Sequence, residues 1–543
     1  MDFTMFHHEA KGRYAYAIDL HNLHIRLRTG QDAKGNIKLI AFDPFVWAKD
    51  ETGEYKISDP VTYEMNIEHS TKDFDWWFAE IKVPTKRAKY AFIVECEDGT
   101  YLYGPAGETA ISLDDSGEFD ISPLHHLGYG YPYILEEDLF HAPSWVTDTV
   151  WYQIFPERYA IGGKHLNKGE LHPWGSKVEG INQFFGGDIL GIASKLTEIR
   201  GLGFTGIYLT PIFKSPSTHK YNTEDYYEID PAFGTKEDFK ELVDKAHSLG
   251  IKIMIDLVYN HIGSTHPIWQ DVVQNGAASK YYNWFCHRDD GSYETFATVK
   301  AMPKWNTANP DARAYLMDVT LYWAKTYGID GFRLDVANEV SHDFWREFRK
   351  AVRGVNPEIY ILGEVWDDGM PWLMGDQFDG VMNYPLAEAI WSFVSGKTDG
   401  AKLRHDISKC LVMYPRDRQK VIFNLLGTHD TSRIMTVCNN KVERVKQAFT
   451  LLMTMPGSPM VFYGDEIGLI GDGADEARQC MIWDENKSDL QAFVKDLITL
   501  RAEDKDMKSH DIIWHKADNE GVIYQKGSLM VALNPNGAEI WRR

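Results

Sequence analysis

The chain has 543 residues, more than a single hydrophobic core ordinarily holds, so two or three domains are expected. Apolar residues make up 44% and charged residues 25%, the balance of a globular protein, and the formal net charge is −22. So strong a negative charge argues against nucleic acid or an anionic membrane as a partner, but it does not affect a neutral substrate.

The five cysteines are odd in number and include no CxxC pair, which favours free thiols in a reducing compartment over a disulfide framework or a zinc site. The first residues contain no basic segment followed by an apolar one, and no run of eighteen apolar residues occurs. We therefore expect a cytoplasmic protein with no membrane span.

Residues 1 to about 120 consist of short, partly alternating apolar segments, such as LHIRLRTG, IKLIAFDPF and YAFIVECEDG, separated by Gly, Asp or Lys turns. Several strands at this spacing predict an N-terminal β-sandwich. The aromatic residues Trp47, Tyr55, Trp76 and Trp77 lie in this region. We expect them to divide between the sandwich core and a surface for a partner.

From about residue 149 the pattern changes to strands that alternate with amphipathic helices. Eight strand candidates each run into a polar residue at the C-terminal end: VWYQIF, GIYLTPI, IKIMIDLVYN, GFRLDVA, IYILGEV, FDGVMNY, VIFNLLG and MVFYGDE. Eight such units predict a closed parallel (β/α)8 barrel over residues 121–504. An open doubly wound sheet is the weaker alternative.

One of the intervening segments, TKEDFKELVDKAHSLG, illustrates the predicted helices. Phe239, Leu242, Val243, Ala246 and Leu249 fall on one helical face. Thr235 is expected as the N-cap with Asp238 three residues later, and Gly250 is expected to end the helix.

About 65 residues separate the end of the third strand from the fourth. The first part, about residues 262–305, is rich in Trp, Tyr, Gly and Asp, and predicts a small inserted subdomain, because a loop of that length usually has a function. After the eighth helix, residues 505–543 return to short strands and predict a small C-terminal β domain.

Three carboxylates stand at the C-terminal ends of barrel strands, where barrel enzymes carry their catalytic groups: Asp335, Glu364 and Asp430. A single acid in such a place is usually a solvated loop residue, but three of them, each following an apolar run, indicate catalysis. Neighbouring parallel strands lie about 5 Å apart. Asp335 and Glu364 are therefore expected to approach to about 5–5.5 Å, the separation of retaining glycoside hydrolysis.

In retaining hydrolysis one carboxylate is the nucleophile and must stay ionised. Arg333 stands two residues before Asp335, on the same face of its strand, and is expected to keep the Asp335 carboxylate ionised for that role. The neighbouring carboxylates are expected to raise the pKa of Glu364, as a general acid requires. His261 and His429 also follow strands. Histidines in such places are often structural, but their neighbours Asn260 and Asp430 favour hydrogen bonds to sugar hydroxyls.

At this point the sequence resembles the α-amylase family of glycoside hydrolases over nearly its whole length. Four signature regions occur in order, one for each expected strand: DLVYNH (256–261), GFRLDVANE (331–339), GEVWDD (363–368) and LLGTHD (425–430). The resemblance implies Asp335 as nucleophile, Glu364 as acid/base and Asp430 as the third acid. It further implies contacts to the sugar ring at the cleaved bond from four residues, Arg333, His261, His429 and Tyr221.

Finer features are similar to one branch of that family, the neopullulanase, cyclomaltodextrinase and maltogenic amylase group. They are the β-rich N-terminal region, FFGGDILGI (184–192), HKYNTEDY (219–226), MPKWN (302–306) and VANE (336–339). The resemblance implies that Glu339 influences the acceptor water and that Trp366 lines the aglycone side. It also implies a homodimer in which the N-terminal domain of one subunit caps the active site of its partner.

Relatives carry an Asn-Gly-Asp calcium run after the first strand, where this chain reads ERYAIGGK. Ile161 and Gly163 supply no side-chain oxygen, although Asp188 remains as a candidate ligand. Because calcium takes six to eight oxygen ligands, we expect this site to be weakened or absent and no cofactor to be required.

The leading hypothesis is thus a retaining hydrolase of α-1,4-glucosidic bonds in cyclodextrins, maltooligosaccharides, pullulan or starch, with some transglycosylation. A glucosyltransferase or isomerase on the same barrel is the first alternative, because a sugar hydroxyl can replace water in one step. A non-catalytic glucan-binding protein is the second. Such a protein is expected to have lost at least one of the three acids, and all three are present.

Overall fold

The computed structural model describes residues 1–31, 33, 35–49, 55–57, 60–112, 124–163, 170–178, 180, 182–483 and 488–543. It divides into two compact units, Met1–His141 with Arg404–Gln419, and Ala142–Leu403 with Lys420–Arg543. The predicted boundary near residue 120 lies outside the described residues. Among the helices in these ranges, none is long and apolar enough to cross a membrane.

The first unit is built mainly from β-strands. Its strands are β1 (Ala15–Asp19), β2 (Asn22–Gly30), β3 (Asn36–Phe42), β4 (Trp47–Lys49), β5 (Tyr55–Ile57), β6 (Val61–Glu64), β7 (Asn66–Ser70), β8 (Phe74–Lys82), β9 (Ala88–Cys96), β10 (Gly99–Gly104), β11 (Gly107–Ala110) and β12 (Tyr129–Tyr131). One sheet has the order β1-β2-β8-β7 and the other β11-β10-β9-β3-β6, with β12 also on β9, while β4 and β5 pair separately.

A single hydrophobic core joins these two sheets. Leu23, Ile25 and Leu27 of β2 and the alternate residues Phe92 and Val94 of β9 are fully buried in one cluster. This two-residue period shows that one face of each strand points into the cluster between the sheets, and the predicted β-sandwich is confirmed.

Of the four aromatic residues expected to divide between core and surface, Trp76 and Trp77 are both buried. Trp77 belongs to the sandwich core, and its Nε1–H donates to Oγ1 of Thr29 at 3.0 Å. Trp76 points to the other face of β8, where it stacks on Tyr14 in a separate cluster with Val412. The side chains of Trp47 and Tyr55 lie outside the described residues.

The second unit contains eight parallel strands in a closed ring. They are β13 (Trp151–Ile154), β14 (Gly206–Leu209), β17 (Lys252–Leu257), β18 (Gly331–Leu334), β19 (Tyr360–Gly363), β20 (Gly380–Val381), β21 (Phe423–Leu425) and β22 (Ser458–Phe462). Each pairs with its neighbours in chain order, β22 pairs with β13, and a parallel bridge from Met382 to Phe423 closes the ring between β20 and β21. All eight predicted strands are present, and the fold is a (β/α)8 barrel. A short hairpin, β15 (Phe213–Lys214) with β16 (Asp225–Ile229), follows β14.

The helices follow in the order α1 (Leu124–Leu127), α2 (Ile189–Gly201), α3 (Lys236–Ser248), α4 (Pro267–Asn275), α5 (Pro310–Tyr327), α6 (His342–Val355), α7 (Tyr384–Val394), α8 (Gly400–Met413), α9 (Arg416–Gln419), α10 (Ile434–Val437), α11 (Val442–Thr454), α12 (Gly473–Ala477) and α13 (Asp489–Glu503). One connection between consecutive barrel strands holds no α-helix. Only a 3-10 turn, Met370–Trp372, lies between β19 and β20, a segment that is entirely described.

Helix α3 begins and ends as its sequence predicts. Oγ1 of Thr235 accepts the Asp238 N–H, and the Asp238 carboxylate accepts the Thr235 N–H, which completes a capping box. Gly250 follows the C-cap in the left-handed region, with φ +69°.

The long connection after β17 holds α4, two 3-10 turns and a set of isolated antiparallel bridges, including Phe285 with Trp305 and Thr295 with Pro303. The predicted inserted subdomain is confirmed. After α13 the chain forms an antiparallel sheet of β23 (Ile513–Asp518), β24 (Gly521–Lys526), β25 (Leu529–Asn534) and β26 (Gly537–Arg542), the predicted C-terminal β domain.

Candidate active site

The barrel strands bring the three predicted acids to one end of the ring. Asp335 directly follows β18, Glu364 directly follows β19, and Asp430 comes five residues after β21. β18 and β19 pair in parallel register, with Leu334 opposite Gly363. Asp335 and Glu364 therefore emerge side by side, and both are buried.

The Arg333 guanidinium lies at the centre of the acidic group. Its Nη1 lies 2.8 Å from Oδ1 of Asp335 and 2.9 Å from Oδ2 of Asp256, and it donates to both carboxylates. Nη2 lies 2.8 Å from Oε1 of Glu364, close enough for an ion pair but without hydrogen-bond geometry. One fully buried cation thus contacts three carboxylates.

Burial and charge act in opposite directions on these acids. Burial raises the pKa of the Asp335 carboxyl well above its usual range, and the Arg333 charge opposes that rise. Burial likewise raises the pKa of Asp256 to about 6, against the same guanidinium and two tyrosine hydroxyls that donate to it, from Tyr208 at 2.7 Å and Tyr221 at 2.9 Å. Arg333 is therefore the group that most favours the ionised form of Asp335, the predicted nucleophile.

Glu364 is held on both of its oxygens. Oε2 accepts the Val336 N–H at 2.9 Å, and Oε1 accepts from Nε1 of Trp366 at 3.3 Å. Val336 has φ +45° and ψ +45°, a left-handed conformation that a β-branched residue rarely adopts. Such backbone strain persists only where surrounding structure enforces it, and it often marks functional sites.

A hydrogen-bonded series links Gln153 of β13 to the acids. Its Nε2–H donates to Nδ1 of His429 at 3.0 Å, so the proton of the neutral imidazole lies on Nε2. That Nε2 lies 2.7 Å from the Tyr221 hydroxyl and 3.1 Å from Oδ2 of Asp430, while the Tyr221 O–H donates to Asp256. Burial lowers the pKa of His429 well below its usual range, which keeps the ring neutral.

Asp430 is the most exposed of the three acids, with about a third of its side chain accessible. Arg478, which lies after β22, donates from Nη2 to its Oδ1 at 2.9 Å and from Nε to the carbonyl of His429 at 2.7 Å. The orientation of Asp430 is therefore set by one cation and one histidine from different loops.

The opposite side of the site is organised by Lys304 of the inserted subdomain. Its ammonium donates to Oδ1 of Asn260 at 2.5 Å and to the carbonyl of Glu339 at 3.0 Å, and lies 3.3 Å from the Glu339 carboxylate. His261 stacks on Phe296, and burial lowers the pKa of its imidazole to about 3.

These groups line a cleft of about 910 Å³, within the range of ligand-binding cavities. Eight of the predicted residues line it: Tyr221, Asn260, His261, Asp335, Glu339, Glu364, Trp366 and Asp430. Arg333 and His429 are fully buried and are not among its lining residues. Neither side chain is exposed to the cleft, and the contacts to the sugar ring that the resemblance implies for them stay a prediction.

Asp188 lies apart from the cleft and caps α2. Its carboxylate accepts the N–H of Gly191, and also those of Gly162 at 3.0 Å and Gly163 at 2.9 Å. Added Cβ atoms on Gly162 and Gly191 would collide with backbone at about 2 Å, so this close approach requires glycine. Amide donors occupy the carboxylate where calcium requires oxygen ligands, so these residues do not fit calcium.

Comparison with known proteins agrees with this geometry. Residues 153–540 match the family described as alpha amylase, catalytic domain, and residues 1–125 match the alpha amylase N-terminal ig-like domain. The chain belongs to the α-amylase family.

Among its relatives in that family, a cyclomaltodextrinase of Geobacillus thermopakistaniensis is 44% identical, covering 97% of this chain and 90% of the relative. An intracellular maltogenic amylase of Bacillus subtilis is 40% identical, covering 96% and 88%. A solved cyclomaltodextrinase structure superposes with a TM-score of 0.88 at 37% identity, covering 99% of this chain and 91% of the other. The expected branch is confirmed.

The sequence did not identify four residues of this site: Asp256, Lys304, Gln153 and Arg478. Asp256 carried a usable signal, since it is a charged residue inside the apolar strand KIMIDL, and Lys304 stood in the quoted motif MPKWN. Gln153 is a polar residue in another apolar strand, a weaker form of the same signal. Arg478 lies in a connection without periodicity and gave no signal.

Proposed function

We propose that this α-glucan hydrolase cleaves α-1,4-glucosidic bonds with retention of the anomeric configuration. An oxygen of Asp335 attacks the anomeric carbon and forms a glycosyl ester, while the bond to the leaving oxygen breaks and Glu364 gives that oxygen its proton. Glu364 then takes a proton from water as the water oxygen displaces Asp335. The substrates are cyclodextrins, maltooligosaccharides, pullulan or starch, and a sugar hydroxyl in place of water gives some transglycosylation.

The observation that best supports retention is the contact of one guanidinium with both carboxylates. Nη1 of Arg333 lies 2.8 Å from Oδ1 of Asp335, and Nη2 lies 2.8 Å from Oε1 of Glu364. Both carboxylates are thus within reach of a single planar group. This supports the short separation of retaining enzymes, about 5–5.5 Å, over the wider gap that inverting enzymes keep for a water molecule.

The remaining groups are assigned by their places in the cleft. Asp430 grips hydroxyls of the ring at the cleaved bond, and Tyr221 stacks beneath that ring, with His261 beside it. Trp366, next to the acid/base on its Oε1 side, borders the leaving sugar. Glu339 orients the acceptor, and Asn260 holds the Lys304 that fixes it.

The test compares Asp335→Asn and Glu364→Gln with Glu294→Gln, which removes a cleft-lining carboxylate bound instead to Arg288. Asp335→Asn loses nearly all turnover because no ester forms. Glu364→Gln is nearly inactive on glucan but loses less in glycosylation by an aryl glycoside with a good leaving group. Glu294→Gln stays active, and NMR of the parent's first products gives the α-anomer. A β-anomer as first product contradicts retention.

A homodimer through the N-terminal domain is part of the proposal, and an exposed aromatic patch supports it. Phe45 is 72% and Tyr133 48% exposed, and the Arg87 guanidinium lies over both rings, at 4.6 and 5.8 Å from their centroids. Aromatic and arginine side chains of this kind are enriched at protein interfaces. With a partner's domain across the cleft, β-cyclodextrin is a better substrate than starch.

Phe45→Glu tests this better than deletion of residues 1–120, because the N-terminal unit also contains Arg404–Gln419, which the deletion would leave uncovered. For the Phe45→Glu variant, light scattering is expected to show a monomer. Its ratio of kcat/KM for β-cyclodextrin to kcat/KM for starch is expected to fall. Ile513→Glu, at an exposed apolar residue of the C-terminal sheet, serves as the control. A monomeric parent that still prefers cyclodextrin refutes the capping.

The cytoplasm is the proposed location. All five cysteines are free thiols, as expected, and a relative is named an intracellular maltogenic amylase. Fractionation of the source cells tests this, and recovery of the protein outside the cytoplasm contradicts it.

A further inference from the structure

A second cavity, of about 770 Å³, borders the active-site cleft. Trp366 lines both cavities, and no other residue is shared between their linings. The rest of the second lining comes from α7 and the residues just after it, from residues 432–439 around α10, and from Asp367 and Asp472. We call this second space the side pocket.

The side pocket combines aromatic rings with hydrogen-bonding groups. Trp366 stacks on Tyr384 at 3.7 Å and 7°, yet 46% of its surface stays exposed. Trp391 is half-buried and is fixed by its Nε1–H, which donates to the carbonyl of Leu426 at 2.6 Å. Ser392 and Asn439, together with the acids and the lysine of the lining, add donors and acceptors. Sugars match such a lining, because their rings have apolar C–H faces and a rim of hydroxyls.

We propose that the side pocket binds a second glucosyl chain, the arm of a branched α-glucan whose main chain lies in the cleft. The proposal rests on the proposed function, since the cleft must hold a glucan for an arm to reach the side pocket. The arm joins the main chain beside Trp366, on the leaving-group side, because Nε1 of Trp366 contacts Oε1 of the acid/base Glu364.

A branched ligand fits this layout better than a longer linear one. The cleft is lined by Asp430 and Arg478, by Glu339 and by residues of the inserted subdomain, and none of these lines the side pocket. The side pocket is lined mainly by residues that follow β20 and β21, and its lining meets that of the cleft at Trp366 only. An occupant of both spaces therefore passes Trp366, and an α-1,6-linked arm does so while the main chain keeps its contacts in the cleft.

The experiment fills the side pocket and compares two substrates. Ser392→Trp, on α7, places an indole in the pocket, and Glu388→Trp, one turn earlier and exposed, is a second filling variant that tolerates the bulk. Ser248→Trp, at the exposed end of α3 and absent from both linings, is the matched control. The substrates are a linear maltooligosaccharide and the same oligosaccharide carrying an α-1,6-linked maltosyl branch.

We expect each filling variant to lower the branched-to-linear ratio of kcat/KM by about tenfold, the usual scale for loss of one well-packed subsite contact, while Ser248→Trp leaves it unchanged. An unchanged ratio in both filling variants overturns the proposal. Calorimetric affinities for both oligosaccharides, measured in an Asp335→Asn background, give the same ratio without turnover. If the parent cleaves neither substrate, the proposed function fails, and the affinity ratio alone still decides whether the arm binds.

Discussion

The proposed catalytic centre and the proposed acceptor side of the cleft differ in how their charges are buried. At the centre, Arg333 contacts Asp256 and Asp335 at 2.9 and 2.8 Å, and all three residues are buried. On the acceptor side, the Glu339 side chain is 56% exposed, and its carboxylate lies 3.3 Å from Lys304. Breaking a buried ion pair leaves an unpaired charge that costs several kcal/mol, whereas an exposed pair contributes about 1 kcal/mol or less. The chemistry is thus rigidly constrained, and acceptor choice can change at little cost to stability.

Among the variants that test this contrast, Arg333→Lys is expected to have the largest effect on kcat/KM. An ammonium cannot bridge three carboxylates as the planar guanidinium does, so we expect kcat/KM to fall by about 10²–10³-fold. Arg333 opposes the raised pKa of Asp335 through its charge and its hydrogen bond, and an ammonium that keeps the charge but not this hydrogen bond lets that pKa rise further. The nucleophile then ionises only at higher pH, and the acid limb of the kcat/KM profile moves upward.

Arg349→Lys is the control, since Arg349 also pairs with a buried acid, Asp379, away from the cleft. It is expected to lower the melting temperature without moving the acid limb. An acid limb that stays in place in Arg333→Lys would show that this guanidinium does not set the ionisation of the nucleophile.

A smaller loss of kcat is expected from substitution of Gln153, which is linked to Asp430 through His429. Gln153→Met removes the donor to Nδ1, so the proton is free to leave Nε2 and Asp430 loses a hydrogen bond. We expect about a tenfold loss of kcat, in line with a single positioned hydrogen bond. Gln153→Glu is expected to be worse, because a carboxylate draws the proton onto Nδ1.

Gln447→Met is the matched control, a buried glutamine that donates to backbone carbonyls of the C-terminal sheet. It is expected to reduce stability and leave kcat unchanged. Equal losses from Gln153→Met and Gln153→Glu, with no change of pH profile, would reduce Gln153 to a packing residue.

The same contrast explains what the sequence could and could not predict. The barrel and its three acids follow from local rules, because each strand is an apolar run and parallel strands bring their C-terminal ends together. The contact of Asp256 with Arg333 joins adjacent strands, and that of Gln153 with His429 joins β13 to the segment after β21. The first pair depends on the register between two strands and the second on closure of the ring, and the local sequence identifies the partners of neither pair.

Burial of individual side chains is hard to predict from the sequence for the same reason. Trp76 and Trp77 are adjacent in β8, so alternation alone would point one of them outward, but the structure buries both. Trp76 packs on Tyr14 and Val412, and Val412 lies far away in the sequence. Arg333 and His429 are fully buried, and position at or near a strand end does not specify whether a long side chain turns toward the cleft or is buried beside the acids.

On the acceptor side, Lys304→Met is expected to change products more than rate. It frees Glu339 from the one cation that pairs with it among the described residues, so the acceptor water is less well oriented and sugar acceptors compete better. We expect the ratio of transglycosylation to hydrolysis on maltotriose to rise a few-fold, with kcat/KM within about threefold of the parent. Chromatography of the products measures the ratio.

Lys300→Met, in the same subdomain but outside the cleft lining, is expected to leave the product ratio unchanged. If Lys304→Met instead lowers kcat/KM as far as Arg333→Lys does, the acceptor side is as constrained as the centre, and the contrast between the two regions is wrong.

The smallest expected effect concerns the strained backbone at Val336, which directly follows Asp335 at the centre. With φ +45°, a Cβ at this position costs about 1 kcal/mol that glycine avoids. Elsewhere alanine is the more stable residue, by about 0.5–1 kcal/mol. We therefore expect the free energy of unfolding of Val336→Gly to equal or exceed that of Val336→Ala. The same pair at Val340, which has φ −106°, is expected to keep the ordinary order with alanine more stable. Urea unfolding of the four variants measures this, and an ordinary order at Val336 would show that the centre stores no strain there.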